Sequence, residues 1–121
     1  MTNTELAVAY LDAVVARDYE RVGSFLADDF HLRDLSPPGF TDVPHSDAAM
    51  DGMRQMLDMF DTVRLADSEA YDIGTVTYLR ARLHFVHPEK GERMLEQHHL
   101  LTIADGQITA IDELCTGFFV P

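Results

Sequence analysis

The first part of the chain carries apolar residues at helical spacing. They recur every three or four positions behind a capping box at residues 2–5, which predicts a first helix over residues 4–17. Asp18 is placed to cap a second, shorter helix that ends near Ala27. Two consecutive helices therefore open the chain.

A strand, a long loop and a third helix are predicted next. Residues 30–34 alternate between apolar and polar and predict a strand, whereas the Pro- and Gly-rich residues 36–44 fit neither a helix nor a central strand and indicate a loop at a rim or lid. Ser46 or Asp47 then caps a third helix that runs to about Phe60. The apolar stripe of this helix consists of Ala49, Met53, Met56, Leu57 and Phe60.

From Val63 onward the pattern alternates with period two. Strands are predicted over residues 63–69, 75–86 and 93–103, with a turn at residues 71–74 between the first two, and the last strand continues into a final hairpin. The order of elements predicts one α+β domain over residues 1–121. In it a strongly bent antiparallel sheet with a mixed edge wraps around three helices as a conical barrel.

Two registers are open for the final hairpin. A two-residue turn at Asp105-Gly106 places His99 opposite Asp112, whereas a three-residue turn with a glycine bulge places His99 opposite Ile111 and diagonal to Glu113. In both registers a carboxylate stands near the imidazole. One face of the first strand then carries Gln97, His99, Leu101 and Ile103.

The amino-acid composition limits the classes of partner and the cellular compartment. The net charge of −12 over 121 residues, without a basic cluster, excludes nucleic acid and anionic membrane surfaces as partners. The single cysteine, Cys115, cannot form an intrachain disulfide, so the chain needs no oxidising compartment. With no signal peptide or membrane span in the pattern, we expect a cytoplasmic protein.

Acid–base chemistry in an apolar pocket is the strongest candidate activity. Asp34 shares a strand face with two large apolar residues and can act as a base, while Tyr10 and His99 can donate hydrogen bonds to a developing oxyanion. The structural alternative is that Tyr10 is a core aromatic and Asp34 faces water at the end of a strand.

Two other chemistries have weaker support. Neighbouring histidines point to opposite strand faces, so a metal site would need Glu96, His98 and His84 on the outer face, where a solvated charged surface is the better interpretation. A nucleophilic pair of Cys115 with His99 is geometrically possible, but a buried lone cysteine usually serves as a small apolar filler. We therefore predict no metal.

Three stretches resemble the ketosteroid isomerase and SnoaL-type polyketide cyclase group of the nuclear-transport-factor-2-like superfamily. They are AYLDAVVARDYERVGSFLADDFHLRDL, PHSDAAMDGMRQML and HHLLTIADGQITAIDEL. The resemblance implies a conical α+β fold that commonly dimerises through its sheet. It also implies that the oxyanion-binding tyrosine of the isomerases falls on Tyr10, the catalytic aspartate on Asp34 and the second oxyanion donor on His99.

The same resemblance separates this chain from the epoxide hydrolases of the superfamily. Their Arg-x-Asp on this strand and Asp on the next fall on Gln97, His99 and Glu113, and two of the three differ in chemical type. The alignment also places Ile111, Glu113 and Cys115 inward, which favours Glu113 over Asp112 as the partner of His99. The ending CTGF is similar to that of many actinobacterial members.

The sequence thus predicts a cofactor-independent enzyme that isomerises, cyclises or dehydrates a small apolar carbonyl compound. Asp34 is the expected base, Tyr10 and His99 polarise the oxygen, and Glu113 orients His99 or transfers a proton. The alternative is a non-catalytic ligand-binding or scaffold domain, because one fold hosts many functions. The predicted ligand-binding residues are Gln97, Leu101, Ile111, Cys115, Phe85 and Met53.

Overall fold

The computed structural model describes residues 1–121 and contains three helices and six strands. The helices are α1 (Asn3–Val15), α2 (Tyr19–Phe25) and α3 (Ser46–Leu57). The strands are β1 (Leu26–Asp34), β2 (Thr41–Pro44), β3 (Thr62–Ile73), β4 (Val76–His87), β5 (Gly91–Ala104) and β6 (Gln107–Cys115).

The six strands form one mixed sheet in the order β2-β1-β6-β5-β4-β3. Only the β1–β6 pair is parallel, and the other four pairs are antiparallel. The predicted α+β architecture is confirmed, but β2 and β3 are free edges, so the sheet is not closed into a barrel. Register shifts within the β1–β6, β3–β4 and β5–β6 pairs bend it around the helices, because a bulge kinks its strand.

The core lies between the helices and the concave face of this sheet. α1 packs against β3 and β4, and α3 packs against β1 and β2. The largest fully buried side chains are Phe30, Phe85, Leu57, Leu79, Leu95, Leu101, Ile108 and Ile111. None of the three helices is long and apolar enough to cross a membrane.

The starts of α1 and α2 follow the sequence signals. Thr2 Oγ1 accepts the Glu5 N–H at 3.1 Å and Glu5 Oε1 accepts the Thr2 N–H at 2.9 Å, so the predicted capping box is confirmed. Asp18 Oδ1 accepts the Arg21 N–H at 3.2 Å and caps α2 as predicted. Side-chain oxygens thus satisfy amide groups that would otherwise lack partners in the first turn.

The start of α3 differs from the prediction. Its N-cap is His45, at φ 71° and without a side-chain hydrogen bond to the helix, while Ser46 and Asp47 are already helical. The reason is the short distance along the chain from β2, which ends at Pro44 and leaves one residue to reverse direction. α3 also stops at Leu57, before Phe60, and buries only Ala49 and Leu57 within its length.

Two loops were predicted too long. Residues 41–44 of the expected loop form β2, which pairs with the end of β1; it is an edge strand, where Pro44 costs no hydrogen bond of a central ladder. β3 continues through Tyr71 to Ile73, so the turn to β4 consists of Gly74 and Thr75 alone. In both cases main-chain pairing with a neighbouring strand overrode the local turn signal.

The β5–β6 hairpin has the two-residue turn, but neither expected register is correct. Asp105 and Gly106 form a two-residue turn, both at positive φ (53° and 75°), as a type I′ turn requires. A bulge then leaves Thr109 without a partner, since Ile103 pairs with Ile108 but Thr102 pairs with Ala110. The shift of one residue places His99 directly opposite Glu113.

The convex face of the sheet is covered by ion pairs and a few apolar side chains. Arg80 Nη2 lies 2.8 Å from Asp67 Oδ2, Tyr78 Oη lies 2.7 Å from His98 Nδ1, and the Arg33 guanidinium binds the Asp112 carboxylate in a bidentate manner. Leu100 and Leu114 remain 41% and 52% exposed among these polar groups. This face therefore mixes charged pairs with accessible apolar surface.

Replacing a leucine of the concave face tests the position of the core. Leu79→Ala should lower the free energy of unfolding by about 2–5 kcal/mol, because Leu79 is fully buried and its loss leaves a cavity. The matched control is Leu35→Ala, at a site that is 47% exposed, where we expect a change within about 0.5 kcal/mol. Urea unfolding of both variants measures the difference, and equal losses would contradict this core.

Candidate active site

A cavity of about 210 Å³ lies between α1, α3 and the concave face of the sheet. Its wall is mostly apolar, and four side chains supply its polar groups: Tyr10, Gln97, His99 and Glu113. The other lining residues are Leu11, Val14, Leu32, Val43, Ala48, Ala49, Gly52, Met53, Met56, Leu57 and Leu83. An apolar cavity of about 150 Å³ binds benzene, so this cavity suits a small ligand.

The polar groups reach one cavity because of strand and helix periodicity. Gln97 and His99 are two residues apart on β5 and share its concave face, and Glu113 stands across from His99 on β6. Tyr10 lies on the buried face of α1, above the sheet. Chemistry-bearing side chains from three elements thus meet in an apolar environment.

The His99 ring is buried and neutral at physiological pH. Its side chain is 7% exposed, and burial followed by the charge of His98 lowers its pKa from 6.5 to about 4. Nε2 lies 3.2 Å from Gln97 Oε1, which acts as a hydrogen-bond acceptor there, so the ring proton belongs on Nε2. Nδ1 is left as an acceptor without a hydrogen-bond partner.

Glu113 is the group in the cavity that titrates near neutrality. Burial, and then the negative charge of Asp34, raise its pKa from 4.5 to about 7. Its Oε2 lies 3.6 Å from His99 Nδ1, which is ion-pair distance but too long for a hydrogen bond. Since His99 is neutral, the contact is not an ion pair, and a small approach lets a protonated Glu113 donate to Nδ1.

Tyr10 supplies a hydroxyl that stays protonated. Burial, and then the charge of Glu113, raise its pKa above the usual value of 10. The residue is 6% exposed and its hydroxyl has no hydrogen-bond partner within the protein. A ligand oxygen in the cavity can therefore accept a hydrogen bond from it.

Asp34, the base expected from the sequence, does not line this cavity. β1 ends at Asp34, and the carboxylate accepts a hydrogen bond from the N–H of Ser36, two residues further along the chain, at 2.9 Å. Its strand neighbour in the parallel β1–β6 pair is Glu113, whose pKa it raises. Asp34 thus acts on the cavity through Glu113.

The other expected ligand-binding residues separate into two groups. Gln97 and Met53 line the cavity, whereas Leu101, Ile111 and Phe85 are fully buried core residues behind the wall and Cys115 lies beyond it. The alternation of β5 and β6 correctly predicted which residues face inward, but not which of them reach the cavity and which are buried behind its wall. The sequence analysis missed two small residues of α3, Ala48 and Gly52, that also line the cavity. Small side chains beside Met53 and Met56 leave space next to the helix, and that was the available signal.

The weaker candidate sites are not assembled. No three His, Cys, Asp or Glu side chains converge as a metal site would require. On the outer face Glu96 accepts from His98 at 2.8 Å, but His84 Nε2 lies 3.5 Å from Glu92 Oε1 instead. Cys115 is opposite Gln97, and burial raises the pKa of its thiol, so it does not form a reactive pair with His99.

Comparison with known proteins follows this geometry. Residues 7–111 match the SnoaL-like domain family. The fold is similar to a Catenulispora acidiphila protein with a ketosteroid isomerase-like fold in complex with trimethylamine (TM-score 0.76, 17% identity, covering 93% of this chain and 85% of that one). It is also similar to a proposed SnoaL-like polyketide cyclase from Shewanella putrefaciens (TM-score 0.78, 17% identity, 95% and 90% covered).

An LEH-like epoxide hydrolase from M. tuberculosis shares the fold as well, at a TM-score of 0.73 and 16% identity, with 93% of this chain and 80% of that chain covered. No curated protein matches the sequence. Identities this low establish a common fold only.

The raised pKa of Glu113 predicts a pH-dependent loss of stability. Folding favours the neutral carboxyl, so its contribution is complete below pH 4.5 and is lost as the pH rises through about 7. Glu113→Gln removes this dependence. At pH 8 it should unfold with a free energy up to about 3 kcal/mol higher than the original protein, and at pH 4 with a similar one.

Urea unfolding at pH 4, 6 and 8 measures this difference. The matched control is Glu89→Gln, an exposed turn residue whose replacement should leave the pH dependence unchanged. If Glu113→Gln and the original protein have parallel pH profiles, the environment of Glu113 does not destabilise its ionised carboxylate.

Proposed function

The chain belongs to the SnoaL-like domain family, and we propose that its cavity catalyses proton transfer on a small, neutral, apolar carbonyl compound. The observation that supports this most directly is Glu113, a buried carboxyl with a pKa of about 7 inside an apolar cavity. A base is most effective when its pKa is close to the working pH. Base-initiated isomerisation, cyclisation and dehydration of carbonyl compounds begin with such a step.

The proposed step divides the work among three side chains. The Glu113 carboxylate removes a proton from the carbon next to the carbonyl, and the Tyr10 hydroxyl donates to the oxygen as negative charge develops there. The Nε2–H of His99, which is donated to Gln97 Oε1 in the free protein, becomes the second donor when the substrate oxygen takes the place of that acceptor. Protonated Glu113 then returns the proton to another atom of the substrate, and no cofactor takes part.

The same wall favours a neutral substrate. No Lys or Arg lines the cavity, and a carboxylate substrate would meet Glu113 and the nearby charge of Asp34 without compensation. The cavity volume of about 210 Å³ suits a small substrate, since an apolar cavity of about 150 Å³ binds benzene.

Hydrogen–deuterium exchange tests proton abstraction without knowledge of the full reaction. In D₂O, the protein should accelerate exchange next to the carbonyl of small cyclic ketones and enones, with a rate that rises with pH through about 7 as Glu113 ionises. Glu113→Gln should abolish the acceleration, and Tyr10→Phe should reduce it about 10²- to 10³-fold. NMR of the ketone signal measures the rate.

Asp34→Asn distinguishes the two carboxyls. If Glu113 is the base, this variant keeps activity and shifts the rising limb to lower pH, because a negative charge beside Glu113 is removed. Loss of exchange in Asp34→Asn with retention in Glu113→Gln would identify Asp34 as the base instead. Asp28→Asn, an exposed residue of the same strand, is the control.

Ligand binding without catalysis is the second candidate. The trimethylamine complex of the Catenulispora acidiphila protein and the carboxyl of Glu113 together favour a small amine as the ligand. Trimethylammonium would then shift the NMR signals of Glu113 and His99, while no ketone in the panel exchanges. Exchange catalysis by the original protein would reject this alternative.

We also propose a homodimer formed through the convex face of the sheet, in a cytoplasmic protein. The exposed Leu100 and Leu114 support this, because they lie on the same face of two neighbouring strands and a dimer through that face would bury both. Leu114→Asp should convert a dimer to a monomer in sedimentation equilibrium, whereas Leu35→Asp, at an exposed site at the end of β1, should not. A monomeric original protein would contradict the proposal.

A further inference from the structure

A second cavity, of about 170 Å³, lies where the end of α3, the β4–β5 turn and the C-terminal segment meet. It shares no lining residue with the first cavity. Its wall is formed by Met59, Phe60, His87, Lys90, Arg93 and Phe118. Three apolar and three basic side chains thus enclose one space.

The apolar part of the wall is aromatic. The Phe60 and Phe118 rings are 5.2 Å apart between centroids, and each packs on Phe85 behind them. Phe118 is held there because Phe119 and Met94 exchange two main-chain hydrogen bonds of 2.8 Å. The apolar body of a ligand can pack against this aromatic side of the cavity.

The basic part of the wall consists of hydrogen-bond donors. His87 Nδ1 accepts the N–H groups of Glu89 and Lys90 at 3.1 Å each, so the other ring nitrogen, Nε2, carries the proton. Arg93 uses Nη1 to bind the carbonyl oxygens of Lys90 and Glu92 at 2.7 Å each, which leaves Nε and Nη2 free. The β4–β5 turn therefore holds two of the three donors in place.

None of these three side chains is neutralised by a carboxylate. Every ion pair of the chain involves other residues, although acidic residues outnumber Lys and Arg by 21 to 9. Lys90 and Arg93 therefore lie at one cavity without a carboxylate partner, although the chain is acidic, and both can pair with an external anion. Guanidinium and ammonium groups form their strongest hydrogen bonds with anionic oxygens.

We propose that this second cavity binds a small carboxylate with an aromatic body. The carboxylate lies against Arg93, Lys90 and the Nε2–H of His87, and the ring lies against Phe60 and Phe118. The site goes beyond the proposed function, because it uses none of the groups that transfer the proton.

A single isotope label makes the test direct. Lys90 is the only lysine in the chain, so labelling with [¹⁵N]lysine gives one main-chain amide signal, at the edge of this cavity. Sodium benzoate, titrated at constant ionic strength, should shift that signal in a saturable manner. Benzyl alcohol, its neutral analogue, should bind at least about 10-fold more weakly because it lacks the charge.

Variants then locate the bound benzoate. Arg93→Gln and Phe118→Ala should each raise the dissociation constant about 10-fold, the first by removing the guanidinium and the second by removing the ring. Arg64→Gln makes the same change of charge at an exposed arginine without an ion pair and should leave the constant unchanged. Arg93 also binds the turn, so Arg93→Gln could weaken binding by changing the turn. Phe118→Ala leaves the turn intact and therefore tests the site independently.

Three results would overturn the proposal. They are an unmoved Lys90 signal up to the solubility of benzoate, equal shifts with benzyl alcohol, and equal weakening by Arg64→Gln and Arg93→Gln. An unmoved Lys90 signal would also result if benzoate bound only in the cavity that contains Glu113, and that result contradicts the proposal as well.

Discussion

One extra residue in β6 determines the character of this protein's interior. The bulge at Thr109 moves the β5–β6 register by one position, so that Glu113 faces the concave side beside His99 and Asp112 faces the convex side. Strand side chains alternate, so without the bulge every inward residue of β6 beyond it would point outward. Asp112 finds the Arg33 guanidinium across the parallel β1, whereas Glu113 has no cation at all.

That separation explains how a very acidic chain keeps most of its charge out of the cavity. On the convex face carboxylates are paired, as Glu96 and Asp67 are with Arg80 and Arg82, and solvent screens what remains. In the cavity, the pKa shifts favour the neutral form of each titratable side chain. The pKa of His99 is lowered, and the pKa values of Glu113 and Tyr10 are raised. Burial is the first cause in all three cases.

Local signals in the sequence were sufficient for much of the fold. The Thr2/Glu5 and Asp18 caps and the period-two pattern after residue 62 gave both N-terminal helices and the meander, because these depend on neighbouring residues. β2 was missed because an edge strand exists only through its pairing with β1. The position of Asp34 was missed for a similar reason: strand alternation gives a face, but not where the chain turns away from the cavity to bind the Ser36 amide.

The cavity is built from two parts that differ in how firmly they are fixed. Its polar groups stand on the central strands β5 and β6 and on the capped helix α1, whereas much of its apolar lining comes from α3, which has no side-chain cap and buries only Ala49 and Leu57 within its length. Residues such as Met53 and Met56 can therefore change in size without disturbing the hydrogen-bonding groups opposite them. Selectivity for ligand shape can thus diverge among related chains, or be redesigned, by altering one helix while the polar residues of the cavity stay the same.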